Sequence, residues 1–176
     1  MLRRSRKFAR SRSGMAAVEF AFIAPVMILL FFGGIELADA LNCKSRVTRV
    51  ASTVADLVAQ STVLTSADVT NIFNAANAIL YPYPAGQAKI VITSLKDVQG
   101  NVKVDWSKAQ NTSVRSTVPN PMPAGLIVPN SGGSVIFAEI SYTYSSITTH
   151  VLPTTITMTG SFYSRPRRAL TVTCNC

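Results

Sequence analysis

The strongest constraint on this chain is a run of twenty residues, Val18 to Leu37, within which positions 20–35 carry no charge. At 1.5 Å per residue a helix of that length spans about 30 Å, the thickness of the hydrocarbon core of a bilayer. The run starts awkwardly, because Glu19 lies inside it. A carboxylate at the centre of a membrane helix costs roughly 2.5–3.5 kcal/mol. Placing Glu19 near one membrane boundary, and Glu36 with Asp39 near the other, lowers that cost without abolishing it.

Charge gives the run a direction. The chain has 176 residues, 48% of them apolar and 14% charged, with a formal net charge of +9. Of its 17 Lys and Arg, six precede Met15, at Arg3, Arg4, Arg6, Lys7, Arg10 and Arg12, with no acid between them. A cationic flank resists translocation, so this pattern fixes a cytoplasmic N-terminus and accounts for the basicity without a nucleic-acid partner. A soluble nucleic-acid binder would have to bury the whole apolar helix as core, which its length argues against.

A secretory signal peptide shares the basic-then-apolar pattern. The apolar stretch here exceeds the usual 7–15 residues, and only Ala38 and Ala40 resemble a cleavage site. Helical periodicity also continues. Val47, Val50, Ala51, Val54, Leu57 and Val58 recur at three- and four-residue steps between Lys44, Arg46, Arg49 and Asp56. The membrane helix therefore runs on as an amphipathic stalk to about Gln60, a rod of about 68 Å. Pro25 removes one backbone donor within it and is expected to kink it, with Gly33 and Gly34 as a second weak point.

The residues Gly14-Met-Ala-Ala-Val-Glu19-Phe20-Ala-Phe-Ile-Ala-Pro25, followed by Phe32-Gly-Gly-Ile-Glu36-Leu, resemble the class III signal of type IV pilins and pseudopilins. They are most similar to TadE-like and TadG-like minor pilins of tight-adherence (Flp) pilus systems. The resemblance implies cutting by a prepilin peptidase after Gly14, which makes Met15 the first mature residue and Glu19 the fifth. The new amine and the carboxylate then pair as neighbouring helices pack, compensating a charge that lipid does not. It also implies other minor pilins, the major Flp pilin and the assembly platform as partners. The short length of the chain beyond the helix favours the TadE-like over the TadG-like assignment.

Beyond the stalk, Ser66 is placed to cap a second helix reaching about Leu80, with Val69, Ile72, Phe73, Ala76, Ile79 and Leu80 on one face; Tyr81-Pro-Tyr-Pro84 stops it. The period then changes. Lys89–Leu95 and Asn101–Trp106 read as a hairpin around Asp97–Asn101, and Ser134–Tyr144 and Thr154–Tyr163 as two further strands. Residues 107–134, with four prolines and a Gly-Gly pair, read as a surface excursion with room for one short helix. The expected fold is α+β: a transmembrane helix continuing as a stalk, then an antiparallel sheet of about four strands packed with a second helix. The expected organisation is a basic cytoplasmic leader over 1–14, helix and stalk over 15–60, and an exported domain over 61–176.

No constellation for chemistry stands out. No phosphate-binding loop occurs. His150 stands alone beside Pro153, and one histidine cannot complete a Cys/His zinc site. The eight acids are scattered, and no catalytic residue, metal or cofactor is assigned. Cys43, Cys174 and Cys176 are odd in number; a bond within the tail, a bond to another chain and free thiols all fit the sequence. Arg165, Arg167 and Arg168 read as solvated charge at a strand end, and Trp106, Tyr142 and Tyr144 as strand-face residues. The expectation is a non-enzymatic, single-pass protein of the bacterial inner membrane, its C-terminal domain periplasmic, acting in pilus assembly with Gly14 and Met15 as processing site, Glu19 and Phe20 in assembly and Pro25 at a kink. The alternative is an uncleaved, signal-anchored periplasmic or surface-adhesion module.

Overall fold

The computed structural model describes residues 13–146 and 155–176, so residues 1–12 of the basic leader, with all its charges, and His150 lie outside the described residues. The fold is α+β. Helix α1 covers Ser13–Ala59, strand β1 Val63–Thr65 and helix α2 Ser66–Leu80; strands β2 (Ala88–Val98), β3 (Asn101–Gln110), β4 (Ser134–Ser145), β5 (Thr155–Ser164) and β6 (Thr173–Asn175) follow. The described residues fall into two compact units. One takes α1 as far as Ala40 together with Ser146, and the other takes Leu41–Ser145 and Thr155–Cys176.

In the first unit α1 is continuous through Pro25, Gly33 and Gly34, so none of the three ends it. Its large apolar side chains, from Met15 and Val18 through Phe31 to Leu37, are exposed, and Glu36 and Ala40 are buried. Its most apolar eighteen-residue window has a mean hydropathy of 2.3 and no buried residue. This is one helix long and apolar enough to cross a membrane.

In the second unit the same helix changes character. Cys43, Val47, Val50, Val54 and Val58 are buried at three- and four-residue steps, with Ala51, Ala55 and Ala59 beside them. The four-stranded sheet has the order β3-β2-β4-β5 and is antiparallel throughout. Register explains its two faces. Ala88, Ile90 and Ile92 of β2 lie opposite Tyr142, Ile140 and Ala138 of β4, and all six are buried. Gly160 of β5 stands opposite Ile140 on that face. There a Cβ would lie 3.2 Å from the Val47 carbonyl oxygen and 3.3 Å from the Thr48 Cα, so the absence of a side chain is what lets α1 approach.

The β2–β3 hairpin turns on Gln99 and Gly100, both at positive φ, as a two-residue loop that follows the strand twist requires. Asp105 is the extra residue of a bulge, since Ser94 opposes Trp106 while Leu95 opposes Val104.

Four details depart from the sequence expectations. The cap of α2 is Thr65 rather than Ser66: its hydroxyl accepts from the Asp68 amide and the Asp68 carboxylate accepts from the Thr65 amide, a reciprocal capping box. Strand β3 runs on to Gln110, and residues 111–133 form no helix. A short parallel pair, β1 with β6, joins the start of the domain to its tail, with Leu64 opposite Cys174. Arg165 and Arg167 are exposed, as expected of charge at a strand end, but each also makes a tie that the sequence did not suggest. Arg165 donates to the Leu126 carbonyl at 3.0 Å, and Arg167 pairs with Asp56 while its amide donates to the Ala59 carbonyl at 2.9 Å.

Candidate functional site

The residues singled out for processing and assembly all lie on the first unit's helix. Gly14, Met15, Glu19 and Phe20 are exposed, as are Ala16, Ala17 and Ala21. Met15 and Glu19 are four residues apart, one turn on the same side of α1. Phe20 is 70% exposed and Phe22 77%, values that in water would be an unshielded apolar surface and that lipid or other helices would cover. Small residues at Ala17, Ala21 and Ala24 repeat at four and three residues, the spacing at which two helix backbones approach closely.

The second acid of the helix has a different environment. Glu36 is buried, and Ser146 Oγ donates to its Oε1 at 2.8 Å, so this carboxylate is satisfied within the unit. Sequence reasoning placed Glu36 at a membrane boundary and did not connect it with Ser146. A separation of 110 residues leaves no sequence pattern that joins the two.

On the second unit the sheet face opposite α1 holds the most organised polar cluster. Arg115, in the irregular segment after β3, donates from Nε and Nη2 to the two carboxylate oxygens of Glu139, both at 2.6 Å. Its guanidinium carbon lies 5.6 Å from the Phe137 ring centroid, and Phe137 stacks on Tyr163 at 4.3 Å. The backbone of Arg115 is fixed as well, since its amide donates to Ser107 Oγ at 3.0 Å. Hydrogen bonding to Glu139 pushes the Arg115 pKa up, and burial pushes the Tyr163 phenol up, with the Glu139 charge adding. An open groove of about 640 Å³ runs beside this pair, lined by Lys89, Thr112, Ser141 and Thr159 among others. The cluster has a cation and an acid locked together, which is a structural tie and supplies no free base or nucleophile.

Among the described residues no group of three or more His, Cys, Asp or Glu converges. Cys174 and Cys176 are joined by a disulfide, and Cys43 is a buried thiol. Trp106 is half-buried and donates from Nε1 to the Val172 carbonyl at 2.7 Å, while Tyr142 and Tyr144 are buried. These aromatic residues hold the tail and core together.

Geometry thus defines a class of protein: one bare apolar helix of membrane-crossing length, leading into a small α+β unit held together by hydrogen bonds and packing. Residues 14–56 match the model of a family described as TadE-like protein, a span that contains the Gly14–Pro25 and Phe32–Leu37 residues on which the likeness rests. No curated protein and no solved structure matched the chain.

Proposed function

We propose that this chain is a minor pilin or pseudopilin that acts in assembling a tight-adherence pilus. The observation that carries the reading is the coincidence of the TadE-like match, over 14–56, with a helix whose apolar half has no cover of its own. The protein sits in the bacterial inner membrane as a single-pass chain, N-terminus cytoplasmic and C-terminal domain periplasmic. It works by helix packing and catalyses no reaction. A prepilin peptidase cuts between Gly14 and Met15; the freed amine pairs with Glu19 of a neighbouring subunit, Phe20 and the small residues beside it form the contact, and Pro25 bends the span. Other minor pilins, the major Flp pilin and the inner-membrane platform are its partners.

The test is the intact mass of a C-terminally tagged chain from its host's membranes, beside a Gly14→Ala variant and a strain lacking the prepilin peptidase. Loss of residues 1–14 only in the unaltered chain and strain supports the reading. Full-length protein in all three samples sinks the processing step and favours an uncleaved anchored module.

A further inference from the structure

Cys174 and Cys176 form a disulfide that the fold does not need as a staple. Strand β6 pairs with β1 residue by residue, Val63–Thr65 against Thr173–Asn175. Side chains two residues apart on a strand point to the same face, which is what lets the two cysteines bond across Asn175. In the chain-entropy account a disulfide stabilises by restricting the unfolded chain, and the effect grows with the length of the loop it closes. Here the two half-cystines are only two positions apart, so the closed loop is among the shortest a chain can make. The tail also has other ties. The Thr173 amide donates to the Thr62 carbonyl at 3.1 Å, Trp106 Nε1 donates to the Val172 carbonyl at 2.7 Å, and Val172 is fully buried.

The surroundings of the bond suit reaction better than support. Cys174 and Cys176 are both partly exposed, whereas the thiol of Cys43 is buried. Lys108 Nζ donates to the main-chain oxygen of Cys176, which holds an ammonium group at that residue. A neighbouring cation favours thiolate over thiol, and the more stable thiolate is the better leaving group in exchange. From these observations we propose that the Cys174–Cys176 disulfide is a thiol–disulfide exchange site whose co-reactant is a thiol of another molecule. The incoming thiolate bonds to Cys174 Sγ, the bond between Cys174 and Cys176 breaks, and its electron pair leaves on Cys176 Sγ. One disulfide is thereby replaced by another, the mixed disulfide at Cys174, with no net oxidation or reduction. Two ways out are open to it. Cys176 attacks Cys174 and expels the co-reactant, or a second thiolate attacks the co-reactant's sulfur, which leaves the chain as a dithiol and the two incoming thiols as a disulfide.

The full chain, solubilised in detergent, is equilibrated at neutral pH with mixtures of reduced and oxidised glutathione up to the poise of a reducing cytosol and, separately, with reduced thioredoxin as a protein dithiol. Samples are quenched in acid, alkylated and weighed intact. The bond should open at that glutathione poise, where structural disulfides stay closed. The adduct trapped early should map to Cys174, and Cys176→Ser should accumulate it. Melting temperatures of the closed and opened chains should agree within about 3 °C, because the loop is so short. Faster opening by thioredoxin at equal thiol concentration identifies a protein thiol as the co-reactant, and faster opening by glutathione a small one; either supports the exchange site. A bond that stays closed against both, two free thiols in chain isolated under oxidising conditions, or a larger fall in melting temperature on opening overturns the proposal. An early adduct on Cys176 overturns the direction of attack.

Discussion

Arg115 and Glu139 meet through two parallel hydrogen bonds of 2.6 Å, and this pair pins the segment after β3 across the outer face of the sheet. Both side chains are about three-quarters buried, so removing one leaves the other's charge partly desolvated and unpaired. Arg115→Ala should therefore cost about 1–3 kcal/mol in chemical denaturation of the solubilised chain, and open residues 111–117 to protease. Adding Glu139→Ala should cost less than the sum of the two single changes, because the second substitution removes the stranded charge. Strict additivity would show that the two groups do not interact in solution.

Gly160→Ala tests the approach of α1 to the sheet. The new methyl would meet the Val47 carbonyl and the Thr48 backbone at 3.2–3.3 Å, and neither is a side-chain end that can swing away. Overpacking of this kind costs about 1–3 kcal/mol. The expected result is a lower melting temperature for Gly160→Ala, with Gly160→Val lower still, while Gly86→Ala, where a Cβ meets nothing within 4 Å, leaves the transition unmoved. An unchanged melt in Gly160→Ala would mean that helix and sheet are farther apart than the structure places them.

Local patterns made much of this fold legible before any coordinates. The apolar run, the three-and-four spacing from Val47 to Val58 and the β-branched runs of β2, β4 and β5 each follow from residues adjacent in sequence, so helix, stalk and sheet could be read directly. The Gly14–Pro25 motif belongs to the same category, and the TadE-like match covers it. What escaped were contacts between distant residues. Arg115 lies 24 residues from Glu139, Trp106 66 from Val172 and Asp56 111 from Arg167, and no periodicity links such pairs. The arginines near residue 165 are surface charge, as read, and only the return of the chain past Asp56 and Leu126 gives two of them partners. Capping was misplaced by one residue for a related reason. Thr65 and Ser66 are both good caps, and the choice depends on which hydroxyl Asp68 can answer.

Thr65→Ala should remove that box at a cost of about 1 kcal/mol. It should also change the acid limb of the stability curve. The Thr65 hydroxyl, followed by its amide, holds the Asp68 carboxyl below its ordinary value of 3.8. A depressed carboxyl contributes stability that is present above the unfolded value and lost as pH falls through the lower folded one. The gap between the denaturation midpoints of Thr65→Ala and the unaltered chain should therefore narrow from neutral to strongly acid pH, leaving the part that comes from the bond between the Thr65 hydroxyl and the Asp68 amide. A constant gap over the whole range would separate the cap from the carboxylate.

Tyr142 sets the opposite limb. Its ring is 2% exposed on the core face of β4, and burial pushes its phenol from 10.0 to about 12, with the neighbouring Cys43 adding to the shift. An unfolded tyrosine ionises near 10 while the folded one stays neutral to about 12. The stabilising contribution is therefore complete below the unfolded value and is lost as pH rises through that interval. Alkaline unfolding should begin there, accompanied by the rise of phenolate absorbance. Tyr142→Phe cannot ionise, and so should move the alkaline transition to higher pH even where the lost hydroxyl lowers neutral stability slightly. If the variant unfolds at the same alkaline pH, the limb belongs to another group and its assignment to Tyr142 fails.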